Sequence, residues 1–97
     1  MKLTGKQLNS IKSYFSDKPV KRAFIFGSYA RDEADEKSDI DILVELDYSK
    51  RVGLLFFAMQ NELEKITNTK VDLVTPSSLS RHIKPFVENE KVLIYEE

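Results

Sequence analysis

The chain has 97 residues, 15 of them basic and 16 acidic, for a net charge of −1. That length gives one domain, read here as residues 1–97, and a hydrophobic content of 41% with six Phe and four Tyr fills a single core. The interspersed charge excludes a basic stripe for unspecific nucleic-acid binding, and the absence of cysteine excludes disulfides, thiolate metal sites and cysteine nucleophiles.

The N-terminal stretch MKLTGKQ carries no apolar run of the signal-peptide kind, and no later run reaches membrane length, so a cytoplasmic protein is expected. Thr4 and Gln7 have capping-box spacing, with Leu3 and Leu8 placed for a hydrophobic staple. Leu8, Ile11 and Phe15 continue as one helical stripe, and Asp17-Lys18-Pro19 ends it. Val20 to Phe26 follows as a strand, apolar on both faces over Ala23-Phe24-Ile25-Phe26, so both faces should be covered. Ser28 is placed to cap a short helix running to Ala30 or Ala34, and the polar stretch Asp32 to Ser38 reads as an exposed loop.

Asp39 to Leu46 reads as the second strand. Alternation sets Asp39, Asp41, Leu43 and Glu45 on one side and Ile40, Ile42, Val44 and Leu46 on the other, which must be core. Lys50 to Thr67 reads as the longest helix. Val52, Leu55, Phe56, Met59, Leu63 and Ile66 form its stripe, while Leu54 and Phe57 fall off it and should meet another surface. Lys70 to Thr75 is the third strand, interrupted by Asp72. Beyond Pro76-Ser77-Ser78 two readings stand: a helix capped by Ser80 and running to Glu88, or one starting at Pro85, a favoured first position. Val92 to Tyr95 is a short edge strand. About twelve residues join the first two strands, at the lower limit for a parallel crossover, so a mixed sheet packed by helices is expected.

The chemistry lies in four features taken together. Gly27-Ser28 ends the first strand, ten residues intervene, Asp39-Ile40-Asp41 opens the second, and Asp72 stands on the third. Two carboxylates on one strand face repel each other, and a divalent cation relieves the repulsion. Mg²⁺ prefers oxygen ligands, with one or two carboxylates and substrate phosphates in its shell. Two such ions ~3.5–4 Å apart clamp the attacking and leaving oxygens of a displacement at phosphorus. Asp39 and Asp41 suit the bridging ligands, and Asp72 suits the ion that activates the attacking hydroxyl or the base that takes its proton. Gly27 lets phosphate approach the backbone, Ser28 offers a hydroxyl, and Arg31 offers a charge-assisted contact to the pyrophosphate end of a nucleoside triphosphate.

Other polar residues read as structural. His82 is expected on the surface, Ser77, Ser78 and Ser80 in turns and caps, and Lys21-Arg22 on a solvated edge. Met59 is expected to fill the core and Tyr29 to pack.

Gly27-Ser28, ten residues and Asp39-Ile40-Asp41 resemble the signature of the polymerase-β-type nucleotidyltransferase superfamily. The stretch GSYAR…SDIDILVE followed by VDLV is similar to its smallest branch, the minimal nucleotidyltransferases or MntA-like antitoxins, over about Ser13 to Tyr95. The resemblance implies an α+β fold with an αβαβαβ core and a mixed sheet, Mg²⁺, ATP as donor, and transfer of AMP to a hydroxyl. It implies a HEPN-type toxin as partner, adenylylated on a tyrosine, and it leaves self-association open. Asp32 departs from the family pattern, where glycine is usual, but aspartate tolerates the left-handed conformation. Asp35 and Glu36 add negative charge, which the loop reading puts in solvent.

The expected function is therefore AMP transfer to a protein that brings its own surface, since few residues follow the third strand. The alternatives are a non-catalytic antitoxin that masks its partner, or the catalytic subunit of a small-molecule or RNA nucleotidyltransferase.

Overall fold

A computed structural model describes residues 2–97. The first helix, α1 (Gly5–Phe15), starts where the capping box places it. Thr4 Oγ1 accepts the Gln7 N–H at 3.0 Å, and Gln7 Oε1 accepts the Thr4 N–H at 3.0 Å. Ile11 and Phe15 on its inner side are fully buried.

The strands are β1 (Val20–Phe26), β2 (Ile40–Leu46), β3 (Val71–Val74) and β4 (Val92–Glu96). They form one sheet in the order β3-β2-β1-β4. β1 pairs antiparallel with β2 and β4, while β2 pairs parallel with β3, so the sheet is mixed as the short β1–β2 connection requires. Between β1 and β2 lies one helical turn, α2 (Gly27–Ala30).

One face of the sheet carries the main core. Ile40, Ile42 and Val44 of β2 are wholly buried there with Met59 and Leu63 of the long helix α3 (Leu55–Thr67). Gln7 Nε2 donates to the Thr67 carbonyl at 3.2 Å and ties α1 to the end of α3. Asn68 ends α3 in the left-handed conformation, at the turn the sequence suggests. The opposite face is covered by a smaller cluster, Phe24, Leu43 and Val87, the last from α4 (Lys84–Glu90). Ala23-Phe24-Ile25 is thus buried from both sides.

Several boundaries differ from the sequence reading. α3 begins at Leu55, not Lys50. Gly53 takes φ +43°, outside helical space, and Asp47 Oδ1 accepts both the N–H (3.1 Å) and the hydroxyl (2.6 Å) of Ser49. A side chain that bonds its own backbone two residues on favours a turn over a helix. The loop after α2 is not wholly exposed, because Ala34 is buried in the main core. α4 starts at Lys84 with Pro85 as its second residue, close to the second of the two readings, while Ser80 opens a separate turn by accepting the Ile83 N–H at 3.3 Å. No helix of the described residues is long and apolar enough to cross a membrane.

Candidate active site

The site sits where β1 ends and β2 begins. Phe26, the last residue of β1, is the register partner of Asp41. Gly27 follows at φ +73°, and a Cβ on it would overlap the Asp41 carboxylate. Glycine is therefore required twice, by the backbone conformation and by the close approach. The turn of α2 begins at Gly27 itself. Ser28 lies inside it rather than at the cap, where Phe26 stands with no side-chain hydrogen bond.

Across the parallel pair, Asp41 is the register partner of Asp72. Partners on adjacent strands project to the same face, so these carboxylates stand side by side on the face opposite the main core. Asp39 lies one residue ahead of β2, whose ladder opens with the Ile40 N–H donating to the Lys70 carbonyl at 2.8 Å. Asp39 and Asp72 are exposed and Asp41 is half-buried.

Asp41 feels both its burial and the charges around it. Burial pushes the Asp41 carboxyl up to about 6, with the neighbouring charges of Asp72 and then Asp39 adding to the effect and the Arg31 guanidinium opposing it. Among the described residues no three acidic or imidazole groups stand close enough to hold a metal ion unaided. The donor set still fits a hard divalent cation. It is all oxygen, two carboxylates come from adjacent strands, Arg31 offsets their repulsion only in part, and Mg²⁺ in particular needs only one or two carboxylates beside phosphate and water.

Arg31 is held between two carboxylates. Its Nε donates to Glu33 Oε1 at 2.6 Å and its Nη1 to Glu90 Oε2 at 2.9 Å. Glu90 Oε1 also accepts the Gly27 N–H at 2.9 Å. Sequence reading missed Glu90. It ends α4 in the run Val87-Glu88-Asn89-Glu90-Lys91, which has the look of a solvated helix end, and nothing local points to a partner 59 residues away.

Asp32 takes φ 59°, the left-handed conformation proposed for it, and Asp35 and Glu36 are exposed. Tyr29 is buried in the main core and His82 is on the surface. Lys21 and Arg22 are exposed, but they lie on β1, an inner strand of the sheet rather than the expected edge, and Arg22 pairs with Glu45 of the neighbouring β2 at 2.6 Å.

Known proteins are similar to this chain in sequence and in fold. The family model described as a nucleotidyltransferase domain matches residues 6–94. The protein adenylyltransferase MntA of Thermococcus cleftensis is 42% identical over 76 residues, which are 77% of this chain and 75% of that protein. A solved structure provisionally named a minimal nucleotidyltransferase is 28% identical, with a TM-score of 0.75 over 89% of this chain and 87% of that one. A chain from the complex of the MNT antitoxin with the tri-AMPylated HEPN toxin of Shewanella oneidensis is 22% identical, with a TM-score of 0.69 over 94% of this chain and 71% of that one. At that identity the last match establishes the fold alone.

Proposed function

The chain belongs to the nucleotidyltransferase domain family, in its minimal MntA-like branch, and on that footing we propose that it moves AMP from ATP, with Mg²⁺, onto a tyrosine hydroxyl of a HEPN-type toxin and so acts as the antitoxin. The observation that carries this reading is the in-register pair Asp41 and Asp72 with Gly27 pressed against Asp41. It sets two carboxylates beside a point where phosphate can reach the backbone. The name of the Thermococcus relative supports protein as acceptor, and the Shewanella complex supports a HEPN toxin as the protein.

In this reading the acceptor oxygen attacks the α-phosphorus of ATP. A new P–O bond forms, the bond from that phosphorus to the bridging oxygen breaks, and pyrophosphate leaves. Asp72, exposed on the edge strand β3, is the carboxylate an incoming hydroxyl can reach and takes the proton. Gly27, Ser28 and Arg31 hold the pyrophosphate end. Asp39, Asp41 and Asp72 would hold Mg²⁺, which when bound supplies electrostatic stabilisation of the charge growing on the phosphoryl oxygens. Leu54 and Phe57, 83% and 69% exposed, are candidates for the surface that meets the partner.

The test is to incubate the chain with labelled ATP, Mg²⁺ and the product of the neighbouring gene. Label should appear on that product and vanish in the Asp39→Asn/Asp41→Asn double variant. Neutralisation of a toxin that persists in the double variant, with no label transferred, would instead make the protein a mask.

A further inference from the structure

Glu90 joins two groups that are far apart in the sequence and adjacent in the site. One oxygen of its carboxylate accepts the Gly27 N–H and the other accepts from Arg31 Nη1, each at 2.9 Å. The side chain is only 23% exposed, against 48% for Arg31 and 62% for Glu33. Its backbone is also anchored. Val87, three residues earlier on α4, is 2% exposed against Phe24 and Leu43. Lys91, the next residue, lies 4.4 Å over the Phe24 ring and pairs with Glu88 at 2.7 Å. Glu90 is thus a fixed post, whereas Glu33 is a solvated partner on the same loop as Arg31.

Its charge has a cost, since it adds to the repulsion that raises Asp41. A neutral side chain at the end of α4 would relieve an already acidic site. The carboxylate is there nonetheless, and what it touches is the backbone amide and the cation assigned to the triphosphate. A guanidinium has five N–H donors in a rigid fork. Glu33 engages Nε and Glu90 engages Nη1, so Nη2 and the second Nη1 proton are not needed for either bond.

We propose that Glu90 is a positioning residue for nucleotide binding. It locks the Arg31 fork in one orientation, from which the remaining guanidinium donors meet the β- and γ-phosphates of a nucleoside triphosphate, while its other oxygen pins the Gly27 turn beside them. The inference rests on the nucleotide site proposed above. It also assigns α4, which supplies no ligand of its own, the task of fixing the phosphate end of that site.

The experiment is a titration of ATP and of AMP, each with Mg²⁺, into wild type, Glu90→Gln, Arg31→Gln and the double variant. Glu90→Gln should weaken ATP about tenfold and AMP less than about twofold, because AMP lacks the two phosphates that Arg31 would meet. In the Arg31→Gln background the same change should add less than about twofold, since Glu90 acts through Arg31. Melting temperatures are recorded for each variant. If Glu90→Gln melts far below wild type, Glu90→Asp, which keeps the charge and withdraws it by one methylene, should reproduce the split between ATP and AMP. The inference is overturned if Glu90→Gln leaves ATP binding unchanged, tightens it as removal of a competing carboxylate would, or weakens ATP and AMP alike. If wild type itself binds ATP no better than AMP, the nucleotide site falls and this inference with it. Wild-type ATP preference with no response to Glu90→Gln overturns only the role of Glu90.

Discussion

On β2, Ile40, Ile42, Val44 and Leu46 point to one side of the sheet, and Asp41, Leu43 and Glu45 to the other. The first side is closed by α1 and α3, and its three innermost residues are wholly buried. On the second side only Leu43 is fully buried, under Phe24 and Val87, and the carboxylates lie beyond the reach of that small cover. Alternation along one strand therefore separates two demands on the same seven residues. One face has room for tight apolar packing, which stabilises. The other tolerates repelling carboxylates, which destabilise a protein without ligand and become useful with one.

Substitutions at two neighbouring residues of β2 should separate the two faces most clearly. Asp41→Asn should lower AMP transfer by about 10²–10³-fold, the order seen when a group that stabilises transition-state charge is removed. It should leave the fold intact, as measured by label transfer beside circular dichroism. Ile42→Ala, one residue on and facing the main core, should do the reverse. It should cost about 3 kcal/mol of stability in urea unfolding, with little effect on transfer by the fraction that remains folded. Val87→Ala lies between them. The cover on the active face is small, so the loss should be about 1–2 kcal/mol, but ATP binding should weaken as well because α4 carries Glu90.

Asp41 also ties the two faces together through pH. Its carboxyl is raised from 3.8 to about 6 in the folded chain, so the protonated form is the one that folding favours. That stabilising contribution is complete below pH 4 and is lost as pH rises through about 6. The gap in unfolding free energy between Asp41→Asn and wild type should be near zero at pH 4. It should open to about 1 kcal/mol in favour of the variant at pH 7, a figure discounted for the half-exposed position. Mg²⁺ should narrow the gap at pH 7 by stabilising wild type alone. A gap that does not vary with pH would mean that the carboxylates do not repel as the geometry implies.

Most of the sheet was legible in the sequence because it depends on local patterns. Strand period placed Ile40, Ile42 and Val44 inward, and the apolar run Ala23 to Phe26 announced a strand covered on both sides. Glycine before a polar turn marked a close approach, read as that of a phosphate, while the group that stands against Gly27 in the structure is the Asp41 carboxylate. The misses have local causes of a different kind. An apolar stripe suggested that α3 began at Lys50, but the left-handed Gly53 and the Asp47–Ser49 turn decide where it starts. Ala34 is small enough to be buried from inside a polar loop. Glu90 was out of reach altogether, because its partners are set by the docking of α4 on the sheet, and no pattern within seven residues encodes that docking.

The smallest stability effect is expected on α3, which also has an inner and an outer side. Met59 and Leu63 face inward and are wholly buried, while Phe57 points away and is 69% exposed, in edge contact with Phe56 at 6.0 Å. Serine and phenylalanine have similar helix propensity, so Phe57→Ser should change stability by no more than about 0.5 kcal/mol. Binding to the partner should weaken about tenfold if Phe57 is an anchor of that interface, since truncating a central aromatic typically costs 1–2 kcal/mol or more. The pair of measurements separates the roles. A large loss of stability would place Phe57 with Met59 and Leu63 as core, whereas unchanged partner affinity would leave the outer side of α3 outside the interface and shift the contact to other exposed apolar groups such as Phe86, 71% exposed on α4.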